Sequence, residues 1–477
     1  MLDVSRDRVP TQQTLAWLVD VLAALRFNEL QLYVEHTFAY TGHDEVWRDA
    51  SPLTHDDMAW LARYGADRGV DLVANMNGFG HMGRWLTHEA YRDLAECPDG
   101  FDAVFGGGHS EPTCLAPTPA NAELAVALAR EMLTAVGGRR IHIGGDEPFE
   151  LGEGRSAAQV AERGRDRVYL EHLARIIDPL VADDVEVLFW ADLFRRDPSL
   201  MADIPAGATG VVWNYEAPSD TGWSEFLGSD LLDRLGMPDD AHLGFEAHAR
   251  LFIESGTPFW VAPGTGSWNT LIGRNHNAAR NVVDAAVVGA RHGAPGYLLT
   301  DWGDNGHHQP LAVSLPSMVR AAVAAWSGGT DHVHVGPVID ELLGAEPGTG
   351  ELLDRLGGLG ESLGIVAPNA SPLFAAVVDS PLPSFGELDD TAVVAARSLI
   401  DEGMATWGRG DVGGPRGEVI AAELDAVCRL ARLGLRRLAG EKPSPADVDD
   451  AVAAQRRAWL GSSRTGGLDD SIAKLRR

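Results

Sequence analysis

The sequence predicts an α/β protein: a (β/α)8 TIM barrel followed by a smaller helical C-terminal domain. Residues 1–330 alternate short apolar runs with longer amphipathic stretches, a pattern typical of parallel strands joined by crossover helices. Polar and aromatic residues follow most of the predicted strand ends. In a closed barrel these ends meet on one face, whereas a doubly wound open sheet, the main alternative, spreads them along a line.

The predicted elements of the barrel follow from apolar periodicity. The eight predicted strands are Leu2–Ser5, Glu29–Val34, Asp71–Asn75, Arg140–Gly144, Glu186–Trp190, Gly210–Trp213, Pro258–Ala262 and Gly296–Thr300. The predicted helices are Thr11–Leu25, Met58–Ala66, Glu123–Ala135, Ala157–Leu180, Ala278–Arg291 and Leu315–Trp326. The connection between strands five and six is short, and we expect it to hold only a partial helix.

A Gly-Gly-Thr-Asp run at 328–331 ends this alternation. The remaining segment, 331–477, is rich in Ala and Leu and shows helical periodicity in Thr391–Asp401, Gly417–Leu438 and Pro445–Leu460. We therefore predict a catalytic barrel over 1–330 and a helical domain over 331–477. These helices are expected either to cover the barrel or to form the contact of a homodimer.

The composition excludes several classes of function. The chain has 477 residues, 45% of them hydrophobic, which is an ordinary globular balance, and a formal net charge of −30. Such a charge repels nucleic acid and anionic membranes and fits an enzyme that acts on a neutral substrate. No apolar run is long enough to span a membrane, and the N-terminus does not resemble a signal peptide, so we expect a cytoplasmic protein.

No cofactor or metal is expected. Cys97, Cys114 and Cys428 lie far apart, with no spacing typical of a zinc site or a disulfide framework. A polar cluster near the eighth strand could suggest a metal, but its spacing matches no standard ligand set. That cluster consists of Asp301, Asp304, His307 and His308.

Two adjacent acids follow the fourth predicted strand. Gly145 lets the backbone leave the strand, Asp146 and Glu147 come next, and Pro148 prevents a further ladder bond. Neighbouring acids in a water-poor site repel each other, so one pKa rises, and glycoside hydrolysis needs such a raised acid to protonate the leaving oxygen. A solvated acidic turn is the alternative. The position after an apolar strand, among other polar strand ends, favours a catalytic pair.

Tryptophans also gather at the strand ends. Indole faces pack against the C–H faces of sugar rings, and the indole N–H supplies a hydrogen-bond donor. Core packing is the alternative for any single tryptophan, but several on one barrel face favour a sugar-binding wall. The candidates are Trp190, Trp213, Trp268 and Trp302.

The run His142-Ile143-Gly144-Gly145-Asp146-Glu147 is similar to the His-x-Gly-Gly-Asp-Glu signature of glycoside hydrolase family 20, the β-N-acetylhexosaminidases. Weaker matches follow in the order of that family. They are the first strand Met1-Leu2-Asp3-Val4-Ser5-Arg6, the Phe79-Gly80-His81 turn after strand three, Trp190-Ala191-Asp192 after strand five and Trp302-Gly303-Asp304 after strand eight. The chain resembles a divergent bacterial branch of the family, without the small α/β domain that usually precedes the barrel.

The resemblance implies an exo-acting hydrolase of carbohydrate metabolism that releases terminal GlcNAc or GalNAc from an oligosaccharide or glycoside with retention. In this family the substrate's own acetamido oxygen attacks the anomeric carbon, so no enzyme carboxylate is the nucleophile. Glu147 would be the general acid and then the base for water. Asp146 would orient the acetamido group and stabilise the charge that develops on its nitrogen.

The resemblance also implies substrate-binding residues at other strand ends. Asp304 would bind a sugar hydroxyl, and Tyr215 is a candidate donor to the acetamido oxygen. His81 would tune the acid pair through hydrogen bonds, and Glu35 occupies a polar position of the site after strand two.

Three departures from the family pattern affect this interpretation. The family places an Arg that grips sugar hydroxyls just before the first strand, and we expect this site to lack it because the chain begins at Met1. The α/β domain before the barrel is expected to be absent as well. In the third-strand turn, Phe79 replaces Pro and the usual acid before it is missing.

Two other functions remain open at this point. One is a barrel glycosidase of other sugar specificity with a separate carboxylate nucleophile. The other is a catalytically silent carbohydrate-binding protein, against which the intact acid pair argues.

Overall fold

The computed structural model describes residues 1–103, 108–194, 198–220, 232, 237–329, 333–378, 384–410 and 412–476. Eight parallel strands form one sheet in chain order. They are Leu2–Asp3, Glu29–Tyr33, Asp71–Asn75, Arg140–His142, Glu186–Trp190, Ala208–Trp213, Phe259–Ala262 and Gly296–Tyr297. All eight predicted strands are present, with ends that shift by three residues at most.

The sheet closes on itself between its first and eighth strands. Leu2 pairs in parallel with Asp301, just after the eighth strand. The Asp3 N–H donates to the Asp301 carbonyl at 2.8 Å, and the Asp301 N–H donates to the Met1 carbonyl at 2.9 Å. Closure brings the carboxyl ends of all the strands to one opening. The predicted (β/α)8 barrel is confirmed, and the open-sheet alternative is wrong.

Helices surround the barrel. The longer ones are Gln12–Ala24, His55–Ala66, Pro119–Val136, Ala157–Arg163, Arg165–Ala182, Asn275–Arg291 and Leu315–Ser327. Short helices are Asp44–Trp47, Gly83–Leu86, Glu89–Arg92, Phe245–His248 and Arg250–Ser255. Between strands five and six the described residues form two 3-10 segments, Asp192–Phe194 and Pro198–Asp203. The single helix predicted over Ala157–Leu180 is wrong, because Gly164, with φ of 85°, divides it.

Side-chain caps explain where several helices begin. Thr54 and Asp57 form a capping box, in which each side chain accepts a hydrogen bond from the other residue's backbone N–H. The Thr118 side chain accepts from the backbone N–H of Asn121, and Pro119 occupies the first turn, where its missing N–H costs nothing. The helix onsets are therefore encoded locally.

A helical region covers part of the barrel. Its helices are Val335–Leu343, Thr349–Gly357, Pro372–Val378, Asp390–Trp407, Gly417–Leu438, Pro445–Ser462 and Leu468–Leu475. The three predicted helices are present, and the four shorter helices of this region were not predicted. The boundary predicted between residues 330 and 331 lies outside the described residues. No helix in the described part of the chain is both long and apolar enough to span a bilayer.

A buried ion pair joins this helical region to the segment after the first strand. The Arg8 Nη2 lies 3.4 Å from the Glu423 Oε1, and both side chains are almost fully buried. Arg8 also donates to the carbonyls of His307 and Gln309, and its guanidinium lies 4.9 Å from the centre of the Trp459 ring. One arginine thus fastens the loops after strands one and eight to the C-terminal helices.

We predict that Glu423→Gln lowers the free energy of unfolding by about 3–5 kcal/mol, because it leaves the Arg8 cation buried without a counter-ion. Asp44→Asn is the matched control, since Asp44 pairs with Arg48 at a surface where both side chains are at least 60% exposed. That change should cost less than about 1 kcal/mol. Denaturant unfolding measures both values, and similar losses in the two variants would contradict the prediction.

Candidate active site

The acid pair stands on a sharp turn after the fourth strand. Gly144 and Gly145 have φ of 73° and 94°, and Glu147 itself has φ of 49°. A side chain at Gly144 would collide with the amide group of Asn77. The Gly-Gly pair therefore lets the chain leave the strand abruptly, which carries Asp146 and Glu147 into the barrel mouth.

His81, from the turn after the third strand, lies among three carboxylates. Its Nε2 is 3.2 Å from the Asp146 Oδ2 and 3.6 Å from the Glu147 Oε2, and its Nδ1 is 3.7 Å from the Glu35 Oε1. Burial alone would lower the pKa of His81, but the carboxylates outweigh it and raise that pKa to about 10. The ring is therefore an imidazolium at neutral pH.

The two acids of the pair have opposite pKa shifts. Burial would raise the pKa of Asp146, but the neighbouring imidazolium of His81 brings it below its ordinary value. Burial raises the pKa of Glu147 to about 7; His81 opposes this shift, and the charges of Asp146 and Asp192 add to it. The Asp192 carboxylate also accepts the Glu147 backbone N–H at 3.2 Å. An ionised acid thus stands beside a protonated one.

An arginine that the sequence analysis did not single out also enters the site. The Arg6 Nη1 lies 2.9 Å from the Asp3 Oδ2 and 3.2 Å from the Glu35 Oε1, and its Nη2 lies 3.3 Å from the Asp304 Oδ1. Its guanidinium is 5.7 Å from the centre of the Trp302 ring. The site therefore has a guanidinium, which comes from the loop after the first strand. Its position directly after a predicted strand was the available signal.

Glu35 links this arginine to the histidine. Its carboxylate accepts the Tyr33 hydroxyl at 3.0 Å, in addition to its contacts with Arg6 and His81. The indole N–H of Trp85 donates to the Glu35 backbone carbonyl at 2.7 Å, which fixes the backbone of this strand end. Charges of alternating sign therefore run across the mouth. We call this set the charge chain: Asp304, Arg6, Glu35, His81 and Asp146.

The predicted aromatic residues form one cluster beside the acid pair. Trp302 lies 5.9 Å from Trp190 and 6.5 Å from Tyr215, measured between ring centres. Tyr215 stacks on Trp213 at 5.2 Å and meets the edge of Trp268 at 5.1 Å. The structure thus brings all four predicted tryptophans and Tyr215 together.

These rings differ in what they can offer a ligand. Trp190 and Trp268 are 0% and 2% exposed, so they support the cluster from behind. Trp213 and Tyr215 are partly exposed. Burial raises the pKa of the Tyr215 phenol, which remains a proton donor at neutral pH.

The polar cluster at the eighth strand does not act as a unit. The Asp301 carboxylate accepts hydrogen bonds from the hydroxyls of Thr265 and Ser314 inside the barrel. The His308 Nε2 is bonded to the Ser471 carbonyl at 3.0 Å. Asp304 instead belongs to the charge chain through its ion pair with Arg6.

The sequence matches one family model and two curated proteins. The model of the glycosyl hydrolase family 20 catalytic domain matches residues 1–222. Human Hexosaminidase D is 24% identical over 358 residues, which are 70% of this chain and 66% of the human protein. Bovine Hexosaminidase D is 25% identical over 219 residues, 43% of this chain and 59% of the bovine protein. The chain spans slightly less than two thirds of the length of these curated relatives.

Two solved structures share the fold of this chain. A β-N-acetylhexosaminidase from Bacteroides fragilis superposes with a TM-score of 0.51 at 15% identity, over 70% of this chain and 67% of that one. A chitobiase from Flavobacterium johnsoniae superposes with a TM-score of 0.53 at 12% identity, over 100% of this chain and 77% of the chitobiase. The residues matched by the family model hold the first six barrel strands and the acid pair. Residues 1–222 therefore resemble the catalytic domain of glycosyl hydrolase family 20, and the chain shares the barrel fold of these solved structures.

Proposed function

We propose that this protein is a glycoside hydrolase of family 20, an exo-acting β-N-acetylhexosaminidase that releases terminal GlcNAc or GalNAc with retention, by a substrate-assisted mechanism. The observation that carries the proposal is the adjacent acid pair with opposite pKa shifts, lowered at Asp146 and raised to about 7 at Glu147. Substrate assistance needs one acid to give a proton while its neighbour stays charged. The names of the relatives, human Hexosaminidase D among them, agree with this substrate class.

In the first step, protonated Glu147 gives its proton to the glycosidic oxygen as the bond to the anomeric carbon breaks. The carbonyl oxygen of the substrate's acetamido group attacks the anomeric carbon from the opposite face and closes a five-membered ring. Positive charge develops on the acetamido nitrogen, and the Asp146 carboxylate accepts the hydrogen bond of that N–H and stabilises the charge.

In the second step, the Glu147 carboxylate removes a proton from a water molecule. The oxygen of that water attacks the anomeric carbon and opens the five-membered ring, so the acetamido group is restored and Glu147 is protonated again. Two inversions at one carbon give net retention. The pKa of about 7 suits Glu147 to both donation and acceptance near neutral pH.

The aromatic cluster supplies a site for the acetamido group. The Tyr215 phenol, kept protonated by burial, would donate to the acetamido oxygen and hold it towards the anomeric carbon. The faces of Trp213 and Tyr215 would enclose the acetamido methyl, supported by Trp190, Trp268 and Trp302. This arrangement favours 2-acetamido sugars over plain sugars.

The charge chain supplies a site for sugar hydroxyls. Arg6 and Asp304 lie 3.3 Å apart at the mouth, and both side chains are partly exposed. A carboxylate and a guanidinium together can accept from and donate to neighbouring hydroxyls of one ring. We propose that Arg6, Asp304 and Glu35 bind the terminal sugar on the side facing strands one, two and eight.

We predict that Glu147→Gln lowers kcat about 100- to 10,000-fold on substrates with poor leaving groups and much less on activated aryl glycosides, which leave without a proton. Asp146→Asn should lower kcat about 100- to 1,000-fold on both kinds of substrate, because the positive charge that Asp146 stabilises develops with either leaving group. Asp93→Asn is the control, since Asp93 is 98% exposed. Near wild-type rates in both pair variants would end the assignment.

We predict that chromogenic β-GlcNAc and β-GalNAc glycosides are turned over at least about 1,000-fold faster than the matched β-glucoside, which lacks the internal nucleophile. Mass spectrometry after incubation with a 2-fluoro β-glucoside should show no covalent adduct. Equal or faster turnover of the glucoside, or a covalent glycosyl-enzyme, would instead support a separate carboxylate nucleophile.

We predict that kcat/KM falls as the pH rises through about 7, because Glu147 loses the proton it must donate. His81→Asn, which tolerates the left-handed backbone at this position, removes the cation that lowers the pKa of Asp146. The acidic limb of the kcat/KM profile should therefore move to higher pH by about one unit or more. His88→Gln, paired only with Glu45 at 3.5 Å among the described ion pairs, is the control, and an unmoved acidic limb in His81→Asn would refute this role.

A further inference from the structure

A loop of the helical C-terminal region reaches the mouth of the barrel beside the aromatic cluster. We infer that Asn369 in this loop is a positioning residue for Tyr215, and so controls recognition of the acetamido group. The inference rests on the proposed function, in which Tyr215 donates to the acetamido oxygen. It makes the helical region a contributor to the sugar site rather than only a support of the fold.

The first contact acts through Trp268. Its indole N–H donates to the Asn369 Oδ1 at 2.9 Å across 101 residues of sequence. Trp268 is almost fully buried, and its edge meets the Tyr215 ring at 5.1 Å with an interplanar angle of 85°. Fixing the indole therefore fixes one side of the tyrosine ring.

The second contact acts through the residue that follows the tyrosine. The Asn369 backbone N–H donates to the Glu216 Oε1 at 2.7 Å. The guanidinium of Arg274 holds both oxygens of the same carboxylate, at 2.8 and 2.6 Å. Because Glu216 is bonded covalently to Tyr215, Asn369 restrains the tyrosine from the chain as well as from the ring.

The loop is tied down around this point. The Ser371 N–H donates to the Asn269 carbonyl at 2.8 Å, and the Ser371 hydroxyl donates to the Thr270 carbonyl at 2.8 Å. The Asn269 amide in turn donates to the Asn369 carbonyl at 3.3 Å. Asn369 has φ of 54°, a conformation that asparagine and glycine adopt more readily than other residues. Its side chain is therefore held in one place.

The test compares two ligands that differ in the acetamido group. GlcNAc-thiazoline carries the ring that the acetamido group forms, whereas isofagomine resembles the sugar ring and has no such group. Asn369→Gly keeps the left-handed backbone and removes the acceptor of the indole N–H. We expect it to weaken thiazoline inhibition about tenfold, equal to about 1.4 kcal/mol, and to lower kcat/KM on β-GlcNAc substrates similarly. Isofagomine inhibition should stay within about twofold.

Three further variants separate positioning from stability. Asn369→Asp retains an oxygen acceptor and should stay within about threefold of wild type, whereas Trp268→Phe removes the donor and should reproduce Asn369→Gly. Ser371→Ala removes a different bond of the same loop and should leave the ratio of the two inhibition constants unchanged. Equal weakening of both inhibitors in Asn369→Gly, or the same change of ratio in Ser371→Ala, would overturn the inference.

A double-mutant cycle tests whether Asn369 acts through the tyrosine. Tyr215→Phe alone should weaken thiazoline inhibition, and adding Asn369→Gly should cost little more, because both changes disturb one interaction. A full effect of Tyr215→Phe with none of Asn369→Gly would refute the inference and leave the proposed function intact. Normal binding of the thiazoline by Tyr215→Phe would refute both the inference about Asn369 and the proposed role of Tyr215.

Discussion

A single imidazolium between carboxylates sets the chemistry of this site. Burial on its own would raise the pKa of both Asp146 and Glu147. His81 lies 3.2 Å from Asp146 and 3.6 Å from Glu147, so its charge acts more strongly on the nearer oxygen. Glu147 also faces the charges of Asp146 and Asp192, which raise its pKa. The asymmetry of the pair thus depends on where the barrel loops place the imidazolium and the surrounding carboxylates.

The closed barrel is the scaffold for these loops. The charge chain draws one member from each of the loops after strands eight, one, two, three and four, and each member touches a neighbour of opposite sign. Its first contact, Arg6 with Asp304, crosses the seam where the first and eighth strands meet. Closure of the sheet and placement of charge are therefore one constraint, because a gap at the seam would separate Arg6 from Asp304.

The sequence predicted what is encoded locally. Apolar runs located all eight strands, and the turn residues Gly144 and Gly145 marked where the acids leave the sheet. Contacts between distant segments were not accessible in this way. The contact of Arg6 with Asp304 forms only because the seam closes, and the indole of Trp268 finds its acceptor 101 residues further along the chain. The division of the helix at Gly164 was missed because apolar periodicity continues across a single glycine.

Strained backbone gathers around the mouth, and the helical region explains how it persists. His81, Glu147, Asn269, Asn305 and Asn369 all have left-handed φ between 49° and 56°. Non-glycine residues hold such angles only where their surroundings over-determine them. Asn369 is bonded to the loops after strands six and seven, and Arg8 is bonded to Glu423 of the C-terminal helices. The helical region lies outside the barrel, and it therefore restrains the loops whose backbone is strained. Because that restraint is distributed over hydrogen bonds and one buried ion pair, loss of any single bond should loosen the mouth before it unfolds the barrel.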